Sequence, residues 1–240
     1  MLCIADPVEQ KPLAADDWLL GAFDGKNILA FGPKGTGKDL LFSHVIALRN
    51  EHHYSLVPYN KKTEVIKVED LNLGENNFKD MVKGVYHKIE PRFNQGEDVF
   101  LPELGMFLPC QYNGTLNELY PSFPIFYAGS RHYYEMSIHG NSQALSRPWD
   151  KIREQADGYI RTLGVVHEYD VLKIHLIYYA RYNDASNMVL PIKDTLENGS
   201  VSGHIITVPK REVKYDSKYL RSFFFDVQVK SYPCRRYKII

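Results

Sequence analysis

The chain has 240 residues, 44% of them hydrophobic, and its 29 Lys/Arg balance its 29 Asp/Glu. That length suits one α/β domain, or one domain with a small appendage, and the apolar fraction suffices for a buried core. A formal net charge of zero excludes any reading of partners from bulk charge. Cys3, Cys110 and Cys234 stand far apart, outside any CxxC or Cys/His cluster, so neither a structural zinc site nor a disulfide framework is expected. The N-terminus carries acids where a signal peptide would be basic and then apolar, and no run of 18 apolar residues occurs. A soluble protein without a membrane span is expected, in a reducing cytoplasm.

In chain order, Asp16 to Phe23 reads as a short helix and Asn27 to Phe31 as a short buried strand. A glycine-rich turn follows. Leu40, Leu41, Val45, Ile46 and Leu48 then give helical spacing to about Asn50. Tyr54 to Val57 and Thr63 to Val68 read as strands, and Asn77 to Ile89 as an amphipathic helix. Asp98 to Leu101 is an apolar strand ending at Pro102-Glu103. Pro124 to Tyr133 is a helix with proline in its first turn. Met136 to His139 is a strand ending in Gly140-Asn141-Ser142-Gln143, Arg147 to Ala156 a helix, and Tyr159 to Leu163 a strand. Such alternation implies an α/β fold, a mainly parallel sheet flanked by helices. After Gly164 the pattern turns β-rich, with strands expected at Val171 to Tyr182, Met188 to Ile192, Ile205 to Val208 and Phe223 to Val229. Turns are expected at Asn183-Asp184 and Asn198-Gly199. One domain over residues 1–240 is expected: a nucleotide-binding core at 24–164 and a β-rich extension at 165–240. From Pro209 onward nine Lys/Arg face three acids, a basic tail that either contacts phosphates or is simply solvated.

Gly32-Pro33-Lys34-Gly35-Thr36-Gly37-Lys38 stands between an apolar strand and an apolar helix. This is the context a phosphate loop requires. Its glycines let successive N–H groups turn inward on a phosphate chain, and the helix beginning at Asp39 and Leu40 adds its positive end. Lys38 supplies a charge for the outer phosphates. The expected ligands are ATP and Mg²⁺. The residue after the lysine usually carries a hydroxyl for Mg²⁺; here Asp39 stands in that place, and its carboxylate can ligate the metal directly or through water. Some nucleotide and metabolite kinases end this loop in Gly-Lys-Asp as well.

In P-loop ATPases of the additional-strand type, four apolar residues precede an Asp-Glu pair. Here Pro102 replaces the metal-holding Asp and Glu103 is present. Farther on come Ser130-Arg131-His132-Tyr133, an apolar strand, Asn141-Ser142-Gln143 and Trp149-Asp150-Lys151-Ile152-Arg153-Glu154. Over Asn27 to Leu163 this order resembles the Zot-like phage morphogenesis ATPases, within the FtsK–HerA class of DNA pumps and packaging ATPases. The resemblance implies that Lys38 contacts the β- and γ-phosphates, that Glu103 orients the attacking water and that Gln143 is the polar sensor. It also implies that Arg131 completes a neighbour's site in a homo-oligomeric ring acting on DNA with viral or mobile-element assembly proteins. Residue by residue, plainer roles stay open: Arg131 as a pairing partner at a helix end, Gln143 as a cap for the segment at Arg147. Two other functions stay open too, a small P-loop kinase and a degenerate P-loop scaffold that binds nucleotide without turnover.

Overall fold

The computed structural model describes residues 15–71, 93–191 and 201–212. The helix expected at Asn77 to Ile89, the strand at Phe223 to Val229, the turn at Asn198-Gly199, Cys3, Cys234 and the basic tail beyond Glu212 lie outside the described residues.

The apolar run Ile28–Phe31 forms β1, buried along its whole length. Gly37 then adopts a left-handed conformation, and α2 (Lys38–Arg49) begins directly after it; α1 is Ala15–Phe23. The next strands are β2 (His53–Ser55), β3 (Thr63–Val65) and β4 (Asp98–Leu101). Two short helices, α3 (Leu104–Phe107) and α4 (Asn113–Leu119), lead to α5 (Phe123–Tyr134). Then come β5 (Ile138–Ser142), α6 (Asp150–Arg153), β6 (Gly158–His167), β7 (Val171–Tyr179), α7 (Tyr182–Ser186) and β8 (Val201–Pro209).

Among the described residues, eight strands join one sheet in the order β3-β2-β4-β5-β1-β6-β7-β8. Pairing is parallel from β3 to β6, and antiparallel between β6, β7 and β8. Strand periodicity sends neighbouring residues to opposite faces. Ile28, Ala30, Phe100 and Ile160 pack with Phe23, Leu41, Phe42 and Val45 of α1 and α2. Leu29, Phe31, Val99, Leu101 and Tyr159 pack on the other face with Phe123, Phe126, Trp149 and Ile152. The sheet therefore has a core on each face, and each fully buried Phe or Leu contributes about 1.5–3 kcal/mol.

Several expected elements differ. Between Ser142 and Asp150 the chain is tied across to the α3 region: Trp149 N–H donates to Leu108 O, Cys110 N–H to Arg147 O, and Pro109 bridges Pro148. Pro148 has no N–H to give a helix, so the helix expected from Arg147 shrinks to Asp150–Arg153. β7 stops at Tyr179, and Asn183-Asp184 falls inside α7 rather than in a turn. Residues 188–191 are not a strand; Met188 has a positive φ, which takes it out of the extended region. Among the described residues, no helix is long and apolar enough to cross a membrane.

Candidate functional site

Parallel strands deliver their C-terminal ends to one edge of the sheet, and β1, β4 and β5 bring three polar segments there. The first is the loop between β1 and α2. Gly32 has no room for a side chain: a Cβ would sit 2.5 Å from Thr162 O and 2.6 Å from Thr162 Oγ1. A Cβ on Gly37 would meet Val165 Cγ2 at 2.7 Å, and φ of 96° there suits glycine alone. Thr36 Oγ1 hydrogen-bonds Pro33 O at 2.8 Å and Thr162 Oγ1 at 2.7 Å, which fixes the loop against β6. Lys38 is 4% exposed, and its ammonium donates to Gly32 O at 2.8 Å and Pro33 O at 3.0 Å. Pro33, Lys34 and Gly35 are exposed, so the loop's outer rim faces solvent. Leu40 is half-buried against the α2-side core. The first turn of α2 has no side-chain cap, which leaves its N–H donors for a phosphate.

The second segment is the end of β4. Pro102 is buried, and Glu103 sits in the left-handed region at φ 52°, starting α3. The third is β5, which runs between the other two. Its Asn141 is fully buried and makes two hydrogen bonds in opposite directions. Its side-chain N–H donates to Asp39 Oδ1 at 2.8 Å, and its Oδ1 accepts the Glu103 backbone N–H at 2.8 Å. One side chain thus ties the start of α2 to the end of β4. A left-handed non-glycine backbone costs on the order of 1 kcal/mol or more, and the bond from Asn141 helps hold it.

The charges interlock. Burial lowers the Lys38 ammonium from its usual range, and Glu103 and Asp39 oppose that. Burial raises the Asp39 carboxyl, against the Asn141 hydrogen bond and Lys38. Glu103 is raised by burial and then by Asp39, while Lys38, a hydrogen bond from Gln143 and the Arg147 charge pull it down. Arg147 Nη1 donates to Gln143 Oε1 at 3.2 Å.

Of the residues singled out by sequence, Gly32 to Leu40, Glu103 and Gln143 therefore gather at one edge. Arg131 does not. Its Nη2 pairs with Asp157 Oδ1 at 2.6 Å and its Nη1 donates to Gly25 O at 3.0 Å, at the N-terminal ends of β6 and β1. The phosphate loop is at the opposite end of β1. Sequence reasoning passed over Asn141, Thr162 and Arg147. Asn141 stood in the tripeptide that supplied Gln143, and counting faces along β5 would have found it: His139 and Asn141 share the α2 face with Ala30, whereas Gln143 lies past the strand.

A phosphate loop at the end of β1, with β5 inserted between β1 and the strand that ends in Glu103, decides the architecture. The chain has a P-loop NTPase fold. No family model matches the sequence, and no curated protein matches it. Among solved structures the chain is similar to the N-terminal domain of zonular occludens toxin from Neisseria meningitidis. The identity is 15% over 78% of this chain and 96% of that chain, with a TM-score of 0.47. It is also similar to the genome packaging NTPase B204 of Sulfolobus turreted icosahedral virus 2 in complex with ATP-gammaS. There the identity is 10% over 75% of this chain and 97% of that chain, at a TM-score of 0.42. The RuvB Holliday junction branch migration motor of Thermotoga maritima matches 59% of this chain and 40% of its own length, at 15% identity and a TM-score of 0.31.

Proposed function

We propose that this NTPase binds ATP with Mg²⁺ at Gly32 to Leu40, hydrolyses it, and uses the energy to move or package viral or mobile-element DNA, as a homo-oligomeric ring of the Zot-like, FtsK–HerA kind. The observation that carries the ATPase reading is the Asn141 bridge, which holds Asp39 and Glu103 together beside the Lys38 loop.

The residues present suit the ligand. The glycine cradle excludes side chains, the helix end offers free donors, and the buried Lys38 ammonium rests on two loop carbonyls that a phosphate oxygen can replace. Asp39 would hold Mg²⁺, whose charge, when bound, offsets that of the outer phosphates. Glu103 accepts a proton from water as the water oxygen bonds to the γ-phosphorus and the bond to the ADP oxygen breaks. Its raised pKa makes it a better base than a solvated glutamate, and Gln143 and Arg147 keep it ionised and oriented. Pro102 favours one second reading, a scaffold that binds nucleotide without turnover.

Hydrolysis measured with and without DNA, in wild type and Lys38→Ala, separates the readings. DNA-stimulated hydrolysis that Lys38→Ala abolishes is expected. Loss of the Lys38 charge should cost tenfold to a hundredfold in ATP affinity, from a charge-assisted contact of about 1.5–3 kcal/mol. Binding without turnover under every condition makes the protein a scaffold, and transfer of phosphate to a small acceptor makes it a kinase.

A further inference from the structure

Away from the phosphate loop, the outer side of α2 borders a groove of about 680 Å³. Its wall is formed by the segment between β2 and β3 and by Arg211, just past β8. Lys61, Lys62 and Arg211 line it, all exposed, with Ser43, Asn50 and Asn60 supplying polar atoms. No Asp or Glu is among the described lining residues. Such a sign imbalance is local, because the chain as a whole is neutral. The C-terminal end of α2 also borders the groove, and a helix C-terminus repels anions. Here the Lys62 ammonium donates to the Asn50 carbonyl, at the helix C-cap, so the negative pole does not face the groove unopposed.

We propose that this groove binds the sugar-phosphate backbone of double-stranded DNA, in a sequence-independent manner. The proposal rests on the DNA-moving reading and gives that reading a contact surface. Charge complementarity selects a polyanion. The aromatic residue in the wall, Tyr59, is 3% exposed and offers no free ring face, so stacking on unpaired bases has no platform among the described lining residues. Lysine and arginine with amide and hydroxyl groups are the side chains that position a duplex through its phosphates. The groove also has a mechanical link to the nucleotide: α2 starts in the phosphate loop and ends at Asn50, about 18 Å away at 1.5 Å per residue.

Fluorescence anisotropy with a labelled 30-base-pair duplex tests this. The full chain is compared with Lys61→Ala/Lys62→Ala/Arg211→Ala and with Lys67→Ala/Lys151→Ala/Arg181→Ala, which removes three exposed cations elsewhere. Each phosphate contact contributes about 0.9 to the slope of log affinity against log salt. The groove variant should therefore lose roughly 2.7 from that slope. Between 50 and 200 mM salt, wild type should then lose about 40-fold more affinity than the variant does. ATP affinity, which involves none of these residues, should be unchanged and reports that the variant is folded. The control triple should keep the wild-type slope. Equal slopes in wild type and the groove variant overturn the groove and leave the DNA-moving reading standing; equal loss in both triples reduces the effect to net charge and overturns it as well. A wild type that binds no duplex overturns both. Unchanged DNA affinity with an altered oligomeric state in light scattering assigns the groove to a second copy of the chain and rejects DNA there.

Discussion

The Asn141 bridge can be inverted by two substitutions, and the inversion separates its structural part from Asp39's chemical part. In wild type the donor is the amide of Asn141 and the acceptor is Asp39 Oδ1, 2.8 Å apart and largely shielded from water. Asn141→Asp keeps the shape and keeps an oxygen for the Glu103 N–H, but it puts a second carboxylate against the first. A hydrogen bond to a charged group, worth about 1.5–3 kcal/mol, is lost, and two carboxylates this close cannot both stay ionised. The expected loss of stability is about 2–4 kcal/mol, with the upper part set by repulsion and proton uptake. Asp39→Asn alone swaps an ionised acceptor for an amide oxygen and relieves the burial that raises this carboxyl, so it should cost about 1 kcal/mol or less. The double variant restores one amide donor facing one carboxylate. Urea unfolding should then give a coupling energy of about 2 kcal/mol, well outside the few tenths expected of independent sites. Turnover should behave differently: if Asp39 holds the metal, the double variant recovers its fold and not its Mg²⁺-dependent hydrolysis. A coupling below about 0.5 kcal/mol refutes the bridge. Recovery of hydrolysis along with stability refutes the assignment of the metal carboxylate to position 39.

Two further predictions concern the other end of the sheet. His139 is fully buried between Phe23 and Phe100, with ring centroids 4.9 Å from each; among the described residues neither ring nitrogen has a hydrogen-bond partner, and Asp98 Oδ2 stands 3.8 Å from Nε2. Burial, and then the Arg49 charge, hold its pKa well below the usual imidazole range. Its contribution to stability is present above the unfolded value of about 6.5 and is lost as pH falls below it, by up to about 1.4 kcal/mol per pH unit; His139→Phe should remove that slope, and parallel stability-versus-pH curves for the two proteins would refute it. Arg131→Ala should cost roughly 1 kcal/mol, as its partly exposed pair with Asp157 is lost, while ATP affinity by calorimetry stays unchanged; restored hydrolysis on mixing with Lys38→Ala protein would instead assign Arg131 to a neighbour's site.

Much of the fold was legible because it depends on local signals. The strand–loop–helix unit from Ile28 to Arg49 follows from an apolar run, three glycines and helical spacing. The strand expected at Asp98 to Leu101 is matched residue for residue by Asp98–Leu101, with Val99, Phe100 and Leu101 buried. The helix expected at Pro124 to Tyr133 appears as Phe123–Tyr134 with proline in its first turn, and Glu135 ends it in a left-handed conformation. The failures are where distant contacts decide. Arg147 to Trp149, expected to begin a helix, is held instead by Leu108 and Cys110, far along the chain. In the site, Lys38 and Glu103 carried local motifs, whereas Asn141 was visible only as a polar position on one face of β5, with no sign of what it would meet. Its role comes from β5 being inserted between β1 and β4, a pairing that hydrophobic periodicity does not encode. Arg131 shows the converse, a residue conspicuous in its motif that a partner 26 positions away ties to the far edge.

The absence of the usual Asp before Glu103 need not leave the site without a metal carboxylate, because the site can be reorganised around the change. Pro102 presets the turn, and Glu103 takes the left-handed backbone that follows it. That conformation leaves the Glu103 N–H pointing at β5, where Asn141 accepts it. The other end of Asn141 has a donor to place, and Asp39 provides the acceptor. A serine or threonine at position 39 has a shorter side chain and no charge, and would receive that buried donor less well. If Asp39 holds the metal, as proposed, Pro102, Asn141 and Asp39 are one compensated set, with the carboxylate that the end of β4 lacks supplied at the start of α2. A metal held there moves with the phosphate loop instead of with the sheet. Since α2 also borders the groove lined by Lys61, Lys62 and Arg211, any shift of the loop on hydrolysis passes along the same helix to the surface where DNA is proposed to sit.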